Sequence, residues 1–379
     1  MTPFSIAGPQ RILFGRGEAA KAPAMLGSFG MRGVLIHGAN TDRARWLLDA
    51  LGALGCDVLA LPCTGEPTLS MLEAAVLAAK AHRPDWICAL GGGAALDLGK
   101  ALAALVPATG GAMDHLEVVG RALPLTAPPL PFVALPTTAG TGAEATKNAV
   151  IGLPDHGRKV SLRDDRMFAA LAIVDPALTD HCPRGVTLAS GLDAVTQVIE
   201  PYLSSKATFY TDAITRPAIA TGLEALARLM QAEDPAARDA LAWTSLTGGM
   251  ALANAGLGVV HGLAGVIGGI TPAAHGAVCG VLLGPSLAMN RARCTGEAAR
   301  RIDEVCAIIA ATLGGSQNDA PRTLSDWASR NGLPALTAQG LPASLHAETA
   351  AAAQTSSSMK GNPVPLSLAD LQDILHDAN

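Results

Sequence analysis

Two histidines stand in a stretch that gives an imidazole nothing to pack against. Residues 256–280 read GLGVVHGLAGVIGGITPAAHGAVCG, which sets His261 and His275 among Gly, Ala, Val, Leu and Ile. A buried imidazole needs a hydrogen-bond partner or a metal, and either histidine alone fits the first. The pair points to the second. The pattern predicts a helix over 259–267, stopped by Gly268-Gly269, with Pro272 in the first turn of a new helix. His261 then projects from one helix and His275 from the start of the next. Two imidazoles do not complete a metal site, so further donors are required. Residues 190–203, SGLDAVTQVIEPYL, supply them. Asp193 and Gln197 are four apart and share a helical face, ahead of Pro201, which is expected to end or kink that helix. A carboxylate, an amide oxygen and two imidazoles suit iron(II) or zinc.

Two other stretches could hold phosphate. In LGGGAALDLGK, residues 90–100, a strand opens through three glycines into a helix. Glycines let backbone approach a ligand, and a helix N-terminus offers free N–H groups and positive potential. The stretch is neither a GxGxxG fingerprint, because Leu96 takes the last glycine place, nor a P-loop. In LPTTAGTGAEATK, residues 135–147, Thr137, Thr138 and Thr141 flank Gly140 and Gly142. Their hydroxyls can bond phosphate, ribose or a nicotinamide amide. Phosphate-compatible loops after successive strands favour a dinucleotide, because open α/β sheets bind ligands there.

The elements that must position these residues follow from periodicity. Strands are expected at 33–37, 57–61, 86–90 and 132–135, and helices at 42–54, 69–82 and 95–105. This alternation implies a parallel sheet with crossover helices. After Val174-Asp175-Pro176 the strand pattern gives way to Ala- and Leu-rich helical segments at 185–200, 210–230, 236–253, 277–290, 297–313 and 324–331. The chain therefore reads as an α/β nucleotide-binding domain over 1–183 and an all-α helical domain over 184–379, which carries the metal and substrate residues.

Composition narrows the partners. Of the 379 residues, 49% are hydrophobic but only 3% aromatic, so the core is built from small aliphatic side chains. The net charge is −5 and no Lys/Arg stripe occurs, which argues against nucleic acid and anionic membranes. No uninterrupted apolar run reaches a membrane-spanning length, and the start lacks the pattern of a secretion signal. Seven scattered cysteines without a Cys-x-x-Cys pair read as reduced thiols of a cytoplasmic protein.

These motifs, with SSSMKGNPVPLS at 356–367, resemble the iron-containing (group III) alcohol dehydrogenases of the dehydroquinate-synthase-like fold, over about residues 4–375. The resemblance implies an N-terminal nucleotide-binding domain, a helical C-terminal domain and an active site in the cleft between them. It implies NAD or NADP as cofactor, iron or zinc as metal, an alcohol or aldehyde as substrate, and a homodimer. It places Gly92, Gly93 and Ala94 near the pyrophosphate, Thr137, Thr138 and Thr141 on the cofactor, Lys159 near the ribose and Leu178 along the cofactor. Asn40 and Asp97 belong to the same cofactor set. Asp193, His261 and His275 match three of the family's four metal ligands, one Asp and three His, and the two histidines also lie at the catalytic position.

The chain departs from that pattern at four places. Gln197 stands where the family has its first metal histidine, and it is carried here as a fourth candidate ligand. Gly265 replaces a histidine associated with substrate or proton handling. Ala94 replaces a serine, and Gly38-Ala39-Asn40 replaces the acidic residue that selects NAD, so that NADP is expected to be tolerated. The expected activity is a metal-assisted NAD(P)-dependent alcohol dehydrogenase or carbonyl reductase. The competing readings are a metal-independent enzyme resembling maleylacetate reductases and a non-catalytic nucleotide-binding protein.

Overall fold

In the computed structural model, which describes residues 3–379, the chain forms two compact units. One comprises Gly8–Thr138 and Ala143–Thr179, the other Asp180–Asn379 together with Ala139–Gly142 and the described residues up to Ala7.

The first unit is an α/β layer. Its strands β1 (Ile12–Phe14), β2 (Arg32–Gly38), β3 (Asp57–Cys63), β4 (Trp86–Gly91), β5 (Phe132–Pro136) and β8 (Leu171–Val174) form one sheet in the order β1-β8-β5-β4-β2-β3, and every pairing is parallel. Helices α1 (Ala22–Gly27), α2 (Arg45–Ala53), α3 (Leu69–His82), α4 (Gly93–Leu105) and the single turn α5 (Ala112–His115) occupy the connections. Successive strand residues point to opposite faces. Val34 and Ile36 therefore join the core under α3 and α4, whereas Leu35, Trp86 and Cys88 join the core under α1 and α2. Two covered faces explain why the strands read as continuous apolar runs.

Along the sheet, β3 lies on one side of β2 and the later strands β4, β5 and β8 on the other. The order reverses between β2 and β4, and the carboxyl ends of strands at such a reversal border the ligand crevice of open sheets. Gly99 lets α4 lie close over that junction. A Cβ there would sit 2.9 Å from Ala89 Cβ and 3.0 Å from Phe132.

The hairpin β6 (Asn148–Leu153) and β7 (Arg158–Arg163) forms a separate antiparallel pair. Its alternating burial is a half-buried strand pattern that the strand expectations above omit, as they omit β1 and β8. Lys100, fully buried on α4, anchors the segment leading into the hairpin by donating to Ala143 O, Thr146 Oγ1 and Asn148 O.

The second unit is all helical: α6 (Arg184–Leu203), α7 (Phe209–Leu229), α8 (Pro235–Ala255), α9 (Val259–Ile270), α10 (His275–Arg293), α11 (Gly296–Leu313), α12 (Ala320–Arg330), α13 (His346–Gln354) and α14 (Leu368–Asp377). Three local expectations are corrected. Pro201 does not end α6, which continues to Leu203. In the last turn a proline sacrifices one backbone bond rather than several. Gly268-Gly269 do not stop α9, which runs to Ile270 with Ile267 and Gly268 buried. Tertiary packing there outweighs the weak helix propensity of glycine. Pro272 lies outside α10, whose first residue is His275. No single helix among the described residues is long and apolar enough to cross a membrane.

Candidate metal centre and nucleotide-binding loops

Asp193 lies in the middle of α6, His261 in the first turn of α9, and His275 opens α10. Small residues let these helices meet. A Cβ on Gly276 would sit 2.5 Å from Ala189 O and 3.2 Å from Asp193 Cβ, so α10 starts in direct backbone contact with α6. The two imidazole centroids are 5.4 Å apart.

The donors converge. One ligand atom from each of Asp193, His261, His275 and Cys279 lies within 4.8 Å of all the others. His261 Nε2 is 3.3 Å from Asp193 Oδ1, yet the two are not aligned as a hydrogen bond, and this buried nitrogen has no hydrogen-bond partner. His275 Nε2 is 3.6 Å from Cys279 Sγ, one helical turn away on α10. Buried polar atoms in folded proteins are nearly always satisfied, so an orphan nitrogen beside a carboxylate and a thiol marks a missing ligand. For tetrahedral zinc, bond lengths near 2.0–2.3 Å give donor separations of about 3.4 Å for N and O and about 3.6 Å for N and S. The observed 3.3 and 3.6 Å match those edges. The residues present therefore fit a divalent ion.

Electrostatics agree. Burial opposes a charge on His261, but Cys279, Asp193 and Glu200 outweigh it and raise its pKa well above the usual histidine value. The Cys279 sulfur is the main cause that pushes His275 up to about 9, against burial. Burial would raise Asp193, but the two neighbouring imidazoles and the Gln197 amide hold its carboxyl below the usual range. The cluster thus attracts positive charge.

Gln197 sits one turn after Asp193. Its amide nitrogen donates to Asp193 Oδ1 at 3.3 Å and to Gly140 O at 3.2 Å, while its buried oxygen has no partner. Two further residues were not singled out from the sequence. Glu200, seven residues after Asp193 on α6, has Oε2 2.7 Å from His261 Nδ1 and accepts the Val260 N–H at Oε1, also at 2.7 Å. Cys279 looked like one more structural thiol. The signal for both was spacing: seven along α6 from Asp193, four along α10 from His275.

The nucleotide candidates lie on the α/β layer. Gly92 is the N-cap of α4, and no side chain caps this helix start. A Cβ on Gly92 would approach Thr138 Oγ1 to 3.3 Å, which brings the α4 N-terminus beside the loop after β5. Thr137 N–H bonds Gly91 O at 2.9 Å. Gly92, Gly93, Ala94, Thr137 and Thr138 are thereby gathered at the carboxyl ends of β4 and β5. Thr141 falls in the segment that belongs to the helical unit. Asn40, exposed after β2, caps a short 3-10 turn by accepting the Asp42 N–H.

The remaining three candidates are engaged locally. Asp97 accepts the Val150 N–H at 3.0 Å and lies 3.6 Å from Lys100 Nζ. Lys159, on β7, is 3.5 Å from Glu66. Leu178 is half-buried against the core under α1 and α2.

Comparison with known proteins agrees along the whole chain. The family model described as "Iron-containing alcohol dehydrogenase" matches residues 9–176, and "Fe-containing alcohol dehydrogenase family, C-terminal" matches residues 187–379. The chain is 33% identical over 294 residues to the probable alcohol dehydrogenase EutG of Escherichia coli K12, spanning 77% of this chain and 73% of that protein. It is 34% identical over 288 residues to the NAD-dependent methanol dehydrogenase of Bacillus methanolicus, spanning 73% and 72%. Among solved structures, the alcohol dehydrogenase from Oenococcus oeni superposes over the full length of both chains with a TM-score of 0.88 and 26% identity.

Proposed function

The chain belongs to the iron-containing alcohol dehydrogenase family, and from that premise we propose a metal-assisted, NAD(P)-dependent interconversion of an alcohol and its aldehyde or ketone. The observation that carries the metal part is the orphan His261 Nε2 held 3.3 Å from Asp193 beside His275 and Cys279. Asp193, His261 and His275 supply ligands, and Gln197 braces Asp193 through its amide. A divalent ion held there supplies Lewis acidity toward the substrate oxygen.

The chain's own residues do the rest. Glu200 fixes the His261 ring and directs Nε2 away from itself. The α4 N-terminus with Gly92, Gly93 and Ala94 takes the pyrophosphate, and the hydroxyls of Thr137, Thr138 and Thr141 take neighbouring polar groups of the cofactor. Asn40, Asp97, Lys159 and Leu178 complete the cofactor set, Asp97 through its hold on the β6–β7 hairpin. A nicotinamide held there would supply the hydride chemistry, and these residues would set its position against the substrate carbon. Gly265 offers no side chain for proton transfer, and water serves there.

Residues 1–183 act as the nucleotide domain and 184–379 as the metal and substrate domain. The protein works in the cytoplasm as a homodimer, a reading supported by seven cysteines that form no disulfide for the compartment and by family likeness for the assembly. NADP is accepted beside NAD, and the ion is iron or zinc. NADH and NADPH oxidation on a panel of aldehydes, with metal content measured on the same preparation, tests the reading. Metal-loaded protein that reduces none of them would overturn it.

A further inference from the structure

We propose that Cys279 is the fourth protein ligand of the metal, completing an Asp193–His261–His275–Cys279 set that selects zinc over iron(II). The proposal rests on the reading above that this cluster holds a divalent ion.

Three observations support it. Cys279 is fully buried, and its sulfur belongs to the same mutually close donor group as the other three. The 3.6 Å from Sγ to His275 Nε2 matches the nitrogen–sulfur edge of a zinc tetrahedron. The residue is held in place. A Cβ on the next residue, Gly280, would meet Leu192 Cδ1 at 2.7 Å, so α10 is pressed against the ligand-bearing stretch of α6. Gln197 uses its amide nitrogen on Asp193 Oδ1 and Gly140 O and keeps a buried, unpartnered oxygen, so the Gln197→Ala variant separates the two donors.

Charge favours the same set. Asp193 with two imidazoles and an amide leaves one uncompensated positive charge on a buried dication, which is costly. A thiolate removes it. Glu200, the next anion, is met separately by the His261 N–H and by the N-terminus of α9. On binding, a metal–sulfur bond replaces the Cys279 S–H bond and the proton passes to solvent, with no change of oxidation state. Thiolate is a soft donor, and softness shifts a mixed N/O/S site from iron(II) toward zinc.

The test uses full-length protein stripped with a chelator and reloaded with cobalt(II) or zinc. Wild type with cobalt should show a near-ultraviolet sulfur-to-metal charge-transfer band. Cys279→Ser should lose that band and bind cobalt at least about tenfold more weakly, and Gln197→Ala should keep the band. X-ray absorption of zinc-loaded wild type should show one sulfur at about 2.3 Å, a readout independent of whether any variant folds. Cobalt bound without the band, a band that survives in Cys279→Ser, or a zinc shell without sulfur overturns the Cys279 assignment while leaving the metal reading intact. Failure of wild type to bind either ion overturns both.

Discussion

Glu200 joins two helices through one carboxylate. Oε2 lies 2.7 Å from His261 Nδ1, and Oε1 accepts the Val260 N–H at the start of α9. The same side chain therefore caps the helix and orients the ring that the helix carries. With the proton on Nδ1, the Nε2 lone pair is left for a metal.

Glu200→Gln should weaken metal binding by about 10–100-fold, the range for loss of an outer carboxylate on a ligating histidine. Chelator competition with zinc measures it. Equal affinity in variant and wild type would mean that the ring is positioned by packing alone.

Gln197→His should raise metal occupancy, because it adds an imidazole one turn from Asp193, and Asp193→Ala, which removes a ligand, should lower it. Elemental analysis of the three proteins purified side by side decides the matter. Gly265→His should leave the metal content unchanged, since a Cβ at that exposed position meets nothing within 4 Å.

Gly92→Val should raise KM for the nucleotide by at least about tenfold, equivalent to about 1.4 kcal/mol. Its branched side chain would fill the space beside Thr138 Oγ1, which a Cβ already approaches to 3.3 Å. Metal content should not change. A nucleotide KM equal to wild type would remove this loop from the cofactor site.

NADPH should be used with kcat/KM within about tenfold of NADH, a difference below about 1.4 kcal/mol. No acidic residue directly follows β2, and Asp42, the first one after it, is 2.9 Å from Arg45. Steady-state comparison of the two cofactors checks this, and strong discrimination against NADPH contradicts it.

Stability should depend on pH through Glu233. Arg238, buried on α8, hydrogen-bonds this carboxylate and holds its pKa down to about 2 from the usual 4.5. A depressed carboxylate contributes stability that is complete above its unfolded value and is lost as pH falls toward the folded one. Glu233→Gln should therefore cost about 1 kcal/mol at neutral pH, because solvent screens this exposed carboxylate. The gap from wild type should narrow between about pH 4.5 and 2, as read by denaturant titration. A gap independent of pH would assign the loss to packing.

Much of this architecture is legible residue by residue. The helix at Leu69–His82 has the bounds read from its sequence, ahead of Pro84, and the structure adds the Thr68 side chain as its cap. The strands Trp86–Gly91 and Phe132–Pro136 show as apolar runs because both faces of the sheet are covered. Asp193, His261 and His275 stand out because polar groups in apolar helices need partners.

What escapes a linear reading is set by tertiary packing. Pro201 and Gly268 carry stop signals that the surrounding helices override. Glu200 and Cys279 matter through neighbours sixty-one residues away and four residues away, respectively, and neither distance says which face of its helix meets the other donors. The β6–β7 hairpin alternates as a strand pair should, yet it sits outside the main sheet and breaks the expected rhythm of strand and helix.

Near the chain's end, Asn362 Oδ1 accepts the Val259 N–H at 3.2 Å, and its amide nitrogen donates to Asn290 Oδ1 at 2.8 Å. This asparagine clamps the beginning of α9, where His261 sits, to the far end of α10, which starts with His275. A ribosome makes Asp193, His261, His275 and Cys279 before it makes Asn362. A product cut short ahead of Asn362 would therefore carry these side chains without the link between α9 and α10.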